Sequence, residues 1–555
     1  MRSLPAAPAK RARPVLLALL VLLPAAGACA LQGDLHAEAK PADVRIAPTR
    51  TPADAPAREA RDSADPRPMD DGPLSIDVQD AILLALENNR ELSVQRLRPS
   101  IRETFEDEER AGFDPVLSAA AAWSRRETDG AGGANRSDVT GTVELGLGVD
   151  QVFPTGTAVG VSATADRTAA SGAADRAAAR VGVTVAQPVL RGQGSDVNLA
   201  SLRQARLDTR ITEYELRGYA EALVAQVEET YWDCALASEQ IAIFEDSLRL
   251  AEQQLTETEE RIAVGTLGEV ERAPAQAEVA QRREGLIAAR ASLATTRLRL
   301  LRLLNVPGDD PYARELQMRA EPPMERVELD EVAAHVQVAL RMRPELNQSR
   351  LAVRRDELEV VRTRNGLLPR LDLFLTLGKS GYARSFGGAA GDLDGHGYDV
   401  TVGAAFERPF FNRAAEARHR RATLNRRQAE AALANLEQLV ELDVRSAYIA
   451  VERASEEVAA TAVTRAFREE ALRAETEKFR VGASTTFLVA QAQRDLLASR
   501  IAELQAAVSY RKALVDLYRL EGSLLTRRGI AAPGDGPPDG PAALLRGGAA
   551  APPNG

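Results

Sequence analysis

Aromatic residues make up only 4% of this 555-residue chain; cysteine occurs twice, methionine five times and histidine four times. So few aromatics, set against abundant alanine, speak against one large globular core and for closely packed helices. The histidines, His36, His335, His396 and His419, fall in a tether, a helix, a loop and a helix, without metal-ligand spacing, so no metal centre is expected. Five methionines and two cysteines form no soft-ligand relay, which argues against the handling of copper or silver. Beyond the N-terminal region no apolar run reaches 18 residues, which excludes a membrane-spanning helix. Acidic residues outnumber basic ones, 80 to 70, and an acidic chain is a poor partner for nucleic acid. Gly378-Lys379-Ser380 has the look of a phosphate-loop end, but Leu373 stands where the first glycine belongs and the segment closes a strand instead of opening a helix. Neither an enzyme site nor a cofactor is expected.

What is present begins with an address. Arg2, Lys10, Arg11 and Arg13 precede a short apolar run, Val15 to Leu23, in the manner of an export signal. Ala26-Gly27-Ala28-Cys29 follows, and small residues directly before a cysteine resemble a bacterial lipobox with Cys29 as the acylated first residue. Ala26 replaces the usual leucine, and a plain signal peptide with a chance cysteine is the other reading. Removal of residues 1–28 takes away four basic and no acidic residues, moving the net charge from −10 to −14. Cys234 then has no intrachain partner and reads as a small buried residue on its helix. Residues 29–74, rich in Pro, Ala, Asp and Arg, read as a disordered tether, and residues 526–555 as a disordered tail.

Between them lie two stretches almost free of helix breakers. Ser195 to Ile262 holds no proline and one glycine, Gly218, and its apolar seam runs Ile241, Phe244, Leu248, Ala251, Leu255, Thr258, Ile262. Steps of three and four make a heptad pattern, so a helix of about 100 Å is expected to lie along other helices. It breaks at Val264-Gly265-Thr266 and returns to Leu304. A second proline-free stretch, Ala414 to Arg480, breaks at Val481-Gly482-Ala483 and returns to about Glu521. Other segments repeat as well: Ala85-Leu86 answers Ala339-Leu340, and Gln187-Pro188 answers Arg408-Pro409. The chain thus reads as two copies, residues 75–305 and 327–525, joined by a loop at 306–326. The change in offset between these landmarks places about 33 extra residues in the strand region of the first copy.

That region alternates with period two. Val139, Val143, Leu145, Leu147 and Val149 are apolar, with Thr140, Thr142, Glu144, Gly146 and Asp150 between them. Four such strands are expected in the first copy, at 115–126, 139–153, 157–166 and 180–187. Two are expected in the second, at 370–380 and 398–407. One greasy and one polar face suits a transmembrane barrel strand; a soluble half-buried sheet alternates too. If the strands face lipid, one chain cannot close the barrel, because a barrel needs at least eight strands and an open edge cannot face lipid.

This duplicated order of strands and long hairpins resembles the TolC-like outer-membrane efflux protein family over roughly Ser75 to Leu525. The strand-to-helix corners at Gln187-Pro188-Val189-Leu190 and Arg408-Pro409-Phe410-Phe411 belong to the resemblance. So do the Val-Gly tips, each followed ten residues on by Ala-Gln, at Ala275-Gln276 and Ala492-Gln493. The resemblance implies all-α long helical hairpins plus transmembrane β-barrel strands, assembled as a homotrimeric β-barrel continued by an α-helical periplasmic tunnel. It implies a channel in the bacterial outer membrane, anchored in lipid and extending into the periplasm. Its partners would be a periplasmic adaptor (membrane fusion) protein, meeting the tips at Val264, Gly265, Thr266, Val481, Gly482 and Ala483, and an inner-membrane pump.

Two departures stand out. Many members narrow the tunnel with acidic residues six and nine positions past the second tip glycine, where this chain has Leu488 and Gln491; the first copy has Glu271 and Pro274. Glu271 is thus the only candidate for a carboxylate ring. The extra strand pair would raise the trimer from twelve strands to eighteen. Two function classes follow, a passive export duct of a tripartite efflux or type I secretion system, or a structural coiled-coil envelope protein without transport.

Overall fold

The computed structural model describes residues 74–129, 137–171, 174–307, 310–319 and 326–531. The chain divides into two units, Met1–Asp43 and Val44–Gly555, and every described residue belongs to the second. The signal, Cys29 and the tether up to residue 73 lie outside the described residues, as do residues 532–555.

The first copy opens with β1 (Leu74–Ile76), α1 (Val78–Asn88) and α2 (Arg90–Ala111), followed by β2 (Val116–Asp129), β3 (Ser137–Val152), β4 (Ala158–Ala170) and β5 (Arg176–Pro188). A single turn, α3 (Ser195–Asn198), leads into α4 (Ala200–Ala263). A 3-10 turn at Glu269–Glu271 then opens the return helix α5 (Arg272–Leu304). The second copy runs β6 (Leu316–Met318), α6 (Val332–Met342), α7 (Pro344–Asn365), β7 (Arg370–Ala383), α8 (Phe386–Gly391), β8 (Tyr398–Glu407), α9 (Arg413–Arg480) and α10 (Thr486–Glu521). A last turn, α11 (Leu524–Arg527), follows.

At 64 and 68 residues, α4 and α9 are each about 100 Å long. Their heptad seams do what the spacing predicts. Ala251 and Thr258 are buried where α5 and α10 lie against α4, and Val440, Val444, Ala447 and Val451 are buried on α9. The wall has four helices at each level: α2, α4, α7 and α9 side by side toward the strands, and α5, α4, α10 and α9 toward the tips. The stretch read as one helix from Ser195 is interrupted at Leu199. There the Asn198 amide is committed to Pro154 O and Gly192 O, at 3.1 and 2.9 Å.

The duplication is visible in backbone detail. α1 and α6 both stop at a residue near φ −60, ψ 120, Asn89 and Arg343, and α5 and α10 both end on a left-handed residue, Asn305 (φ 45) and Gly522 (φ 70). Around these four ends two apolar clusters form at mid-height, one on Tyr231, Leu300, Leu304 and Leu524, the other on Leu346, Val440, Tyr510 and Leu517. The joining loop is not featureless: β6 pairs in parallel with β1, Leu74 opposite Leu316. Residues 526–531, assigned from composition to the tail, are also packed. Arg528 donates twice to the buried Glu228 carboxylate at 2.6 Å, and Ile530 joins the first cluster. A paired charge and an apolar anchor outweigh the glycine-rich composition that follows.

One charge of this belt is uncomfortable. Glu221 is buried beside Arg217, and burial pushes its carboxyl from 4.5 up to about 7 in spite of that neighbour. Between those values the folded chain holds a proton that the unfolded chain has released, so this group makes stability fall as pH rises through the window. The thermal midpoint of the purified protein is expected to drop between pH 5 and pH 8, and Glu221→Gln to remove that part of the drop. Identical pH profiles for the two proteins would reject the assignment.

Candidate functional site

The six long strands form one sheet in the order β2-β3-β4-β5-β7-β8. Residues directly opposite in antiparallel strands share a face, so register decides whether the separate alternations add up. They do. Leu117, Val149, Val161, Val183, Leu377 and Val400 are opposite one another in turn across all six strands. The next row is Gln151, Val159, Val185, Leu375 and Val402. On the other face Asp150, Gly160, Thr184, Thr376 and Thr401 line up the same way, and Arg180 and Asp399 bridge at 2.6 Å above Gly378.

Both faces are open in the single chain: Leu117 is 74% exposed and Val402 77%. This face runs from the Gln187 row to the Ala177 row and is apolar apart from Gln151 and Gln187 toward one end and Lys379 and Arg167, opposite Val181 and Ala177, toward the other. With strand rise and a tilt near 40° that is a band about 25 Å tall, the height of an outer-membrane girdle. Trp123 and Tyr398 stand exposed toward one end of it, Phe406 toward the other. Among the described residues β2 and β8 each have one neighbour, so the sheet ends in two free edges. The turn between β3 and β4 sits on the helical side, with Gly194 N donating to Thr155 O at 3.1 Å. The extra strand pair therefore runs the full height of the sheet.

At the far end of α4, Gly265 takes φ 76. Its N–H reaches Ile262 O at 3.0 Å and the Thr266 N–H reaches Arg261 O at 2.9 Å. After α9, Gly482 takes φ 79, with matching bonds to Phe479 O and, from Ala483, to Lys478 O at 2.8 Å. This is the Schellman closure, which calls for glycine. A Cβ at either position would meet nothing within 4 Å, so the backbone conformation and not crowding requires the residue. Val264 and Val481 beside them are 75% and 79% exposed. The two tips touch each other. Arg261 lies 4.9 Å over the Phe479 ring, Thr486 donates to Glu271, and Arg494 reaches the buried Glu278 at 2.9 Å.

The sequence model of the outer membrane efflux protein family matches residues 81–306 and 335–523, about three quarters of the chain. The chain belongs to the outer membrane efflux protein family. Solved structures agree in fold. The open-state MtrE outer membrane channel of Neisseria gonorrhoeae superposes with a TM-score of 0.58 at 20% identity, covering 80% of this chain and 89% of that one. The Campylobacter jejuni CmeC outer membrane channel gives 0.60 at 16%, covering 81% and 89%. VceC, an outer membrane protein of Vibrio cholerae, gives 0.58 at 16%, covering 82% and 96%. A comparison with curated proteins returns no match. The family is one of outer-membrane channels, not of enzymes. Among the described residues no helix is long and apolar enough to cross a membrane, and no three His, Cys, Asp or Glu side chains are grouped to hold a metal.

Within this efflux fold the candidate residues separate. The six tip residues come together at one end of the wall. Glu271 sits in a groove between the hairpins, bonded to Thr486 and near Thr258 and Arg494; Leu488 and Gln491 are exposed on the first turns of α10. Cys234 is buried, as its helical position predicts. The Glu278–Arg494 contact was not anticipated. Glu278 corresponds to Asp495, which binds Arg468 at 2.8 Å within the second hairpin, whereas Arg494 reaches Glu278 across the two hairpins, so the repeat did not mark the contact.

Proposed function

We propose that this efflux-family chain is a passive export channel, three copies of which close a barrel through the free edges of β2 and β8. Six strands from each chain make eighteen, above twelve helices of wall, so the barrel is wider than the tunnel that feeds it. The register that gathers every apolar alternation onto one face while leaving both edges unpaired carries this reading. Unpaired backbone groups at such edges cannot remain in lipid. Energy comes from an inner-membrane pump, coupled through a periplasmic adaptor that meets the Val-Gly tips. Tripartite efflux and type I secretion both use such a duct.

Purified protein added to planar bilayers is expected to give discrete conductance steps, with a trimer as the conducting species. A coiled-coil scaffold without transport would insert no steps, and silence of a trimeric, membrane-inserted preparation would sink the channel reading. Cys29 is proposed as the lipid-bearing first residue of the mature chain. Metabolic labelling with a radioactive fatty acid is expected to mark the wild type and not Cys29→Ser, with transport largely retained because the barrel already holds the protein in the membrane. Equal labelling of both would reject lipidation at this residue.

A further inference from the structure

At the corner where strands become helices, α7, α9 and the loop after β5 line an open depression of about 750 Å³ that belongs to neither the sheet nor the tips. Four of the side chains lining it are arginines, Arg191, Arg362, Arg418 and Arg421. Its one carboxylate, Glu359, is taken up by Arg362 at 2.8 Å. The other three guanidinium groups have no acidic partner within 4.0 Å among the described residues.

The same depression contains the start of the 68-residue α9, with Asn412, Ala414 and Ala415 on its wall. No side chain caps that helix; the Asn412 amide instead donates to Leu367 O at 3.2 Å. The first-turn N–H groups and the positive end of the helix therefore face the depression that the arginines line. Cations gathered around an uncapped helix start raise the local positive potential and favour a bound anion. Guanidinium groups and backbone N–H donors together suit the tetrahedral oxygens of a phosphate. The height of the depression is also telling. Pro409 lies two residues beyond the end of β8 and Gly366 four before the start of β7, which is the level of the lipid headgroups if the apolar band spans the bilayer.

We propose that this corner depression binds a phosphate-bearing group through Arg191, Arg418, Arg421 and the first turn of α9. A phospholipid headgroup and a free phosphate both supply that chemistry, and the two are told apart by separate measurements. The full-length protein, purified in neutral detergent, would be titrated with phosphatidylglycerol and with phosphatidylcholine of the same chains, and bound lipid counted by native mass spectrometry. Radiolabelled orthophosphate would be followed by equilibrium dialysis at low salt.

Wild type is expected to hold phosphatidylglycerol at least tenfold more tightly than phosphatidylcholine. The R191Q/R418Q/R421Q variant is expected to lose that preference, and R191K/R418K/R421K to keep part of it, because charge survives while the paired donors do not. Saturable orthophosphate binding that the glutamine variant lacks would assign a free anion as ligand; lipid preference alone would assign the headgroup. Equal binding by wild type and the glutamine variant in both measurements overturns the proposal, as does a wild type with neither lipid preference nor phosphate binding. If the glutamine variant fails to assemble, the comparison of wild type with the lysine variant decides: equal affinity for both probes overturns the arginine-specific site.

Discussion

Val183→Arg is expected to abolish assembly in the outer membrane, while Thr184→Arg, one residue along the same strand, leaves it intact. Val183 stands between Val161 and Leu377, near the middle of the apolar band. An arginine facing lipid at that depth costs about 2–4 kcal/mol, and a trimer carries three of them. Thr184 points the other way, between Gly160 and Thr376, where a guanidinium group meets water. Its replacement loses one hydroxyl contact to Thr376 at 3.1 Å, worth about 1 kcal/mol. Heat-modifiable gel mobility of membrane fractions reads the outcome. The faces have been assigned the wrong way round if Thr184→Arg is the variant that fails. Equal tolerance of both would remove the ground for a lipid-facing surface.

That assignment needed three-dimensional register, but much of what it rests on was readable beforehand. All six strands and both long hairpins follow from local periodicity, which the chain states within ten or twenty residues. Gly265 and Gly482 were readable too, because a helix that reverses needs a left-handed residue at its end. What escaped is non-local. Arg528 and Glu228 are 300 residues apart, and nothing near either marks the pair. Glu278 and Arg494 stand 216 residues apart on different hairpins, and nothing near either marks the contact. The arginines of the corner depression come from three segments spread over more than 200 residues, and each is unremarkable in its own window. The sheet order is intermediate. Alternation identifies the strands, but only the pairing of β5 with β7 shows that the two copies share one surface.

Val264→Glu combined with Val481→Glu is expected to reduce transport to background while trimer formation and bilayer conductance stay unchanged. The glycines are poor probes of docking, because Gly265 and Gly482 sit at φ 76 and φ 79 and any side chain there strains the turn by about 1 kcal/mol or more. The valines are better. Both cap residues have φ −88, which any residue accepts, and they are 75% and 79% exposed, so glutamate replaces them without disturbing the chain itself. If an adaptor buries them, each exchange removes an apolar contact of about 2 kcal/mol and adds the cost of covering a charge. A trimer presents six such tips, and losses at linked contacts multiply. Crosslinking to the adaptor should vanish together with transport. Transport at wild-type level with both glutamates present would exclude docking at these tips. Loss of the trimer or of conductance would make the tip a folding element instead, since the strands lie about 100 Å away along α4 and have no direct contact to lose.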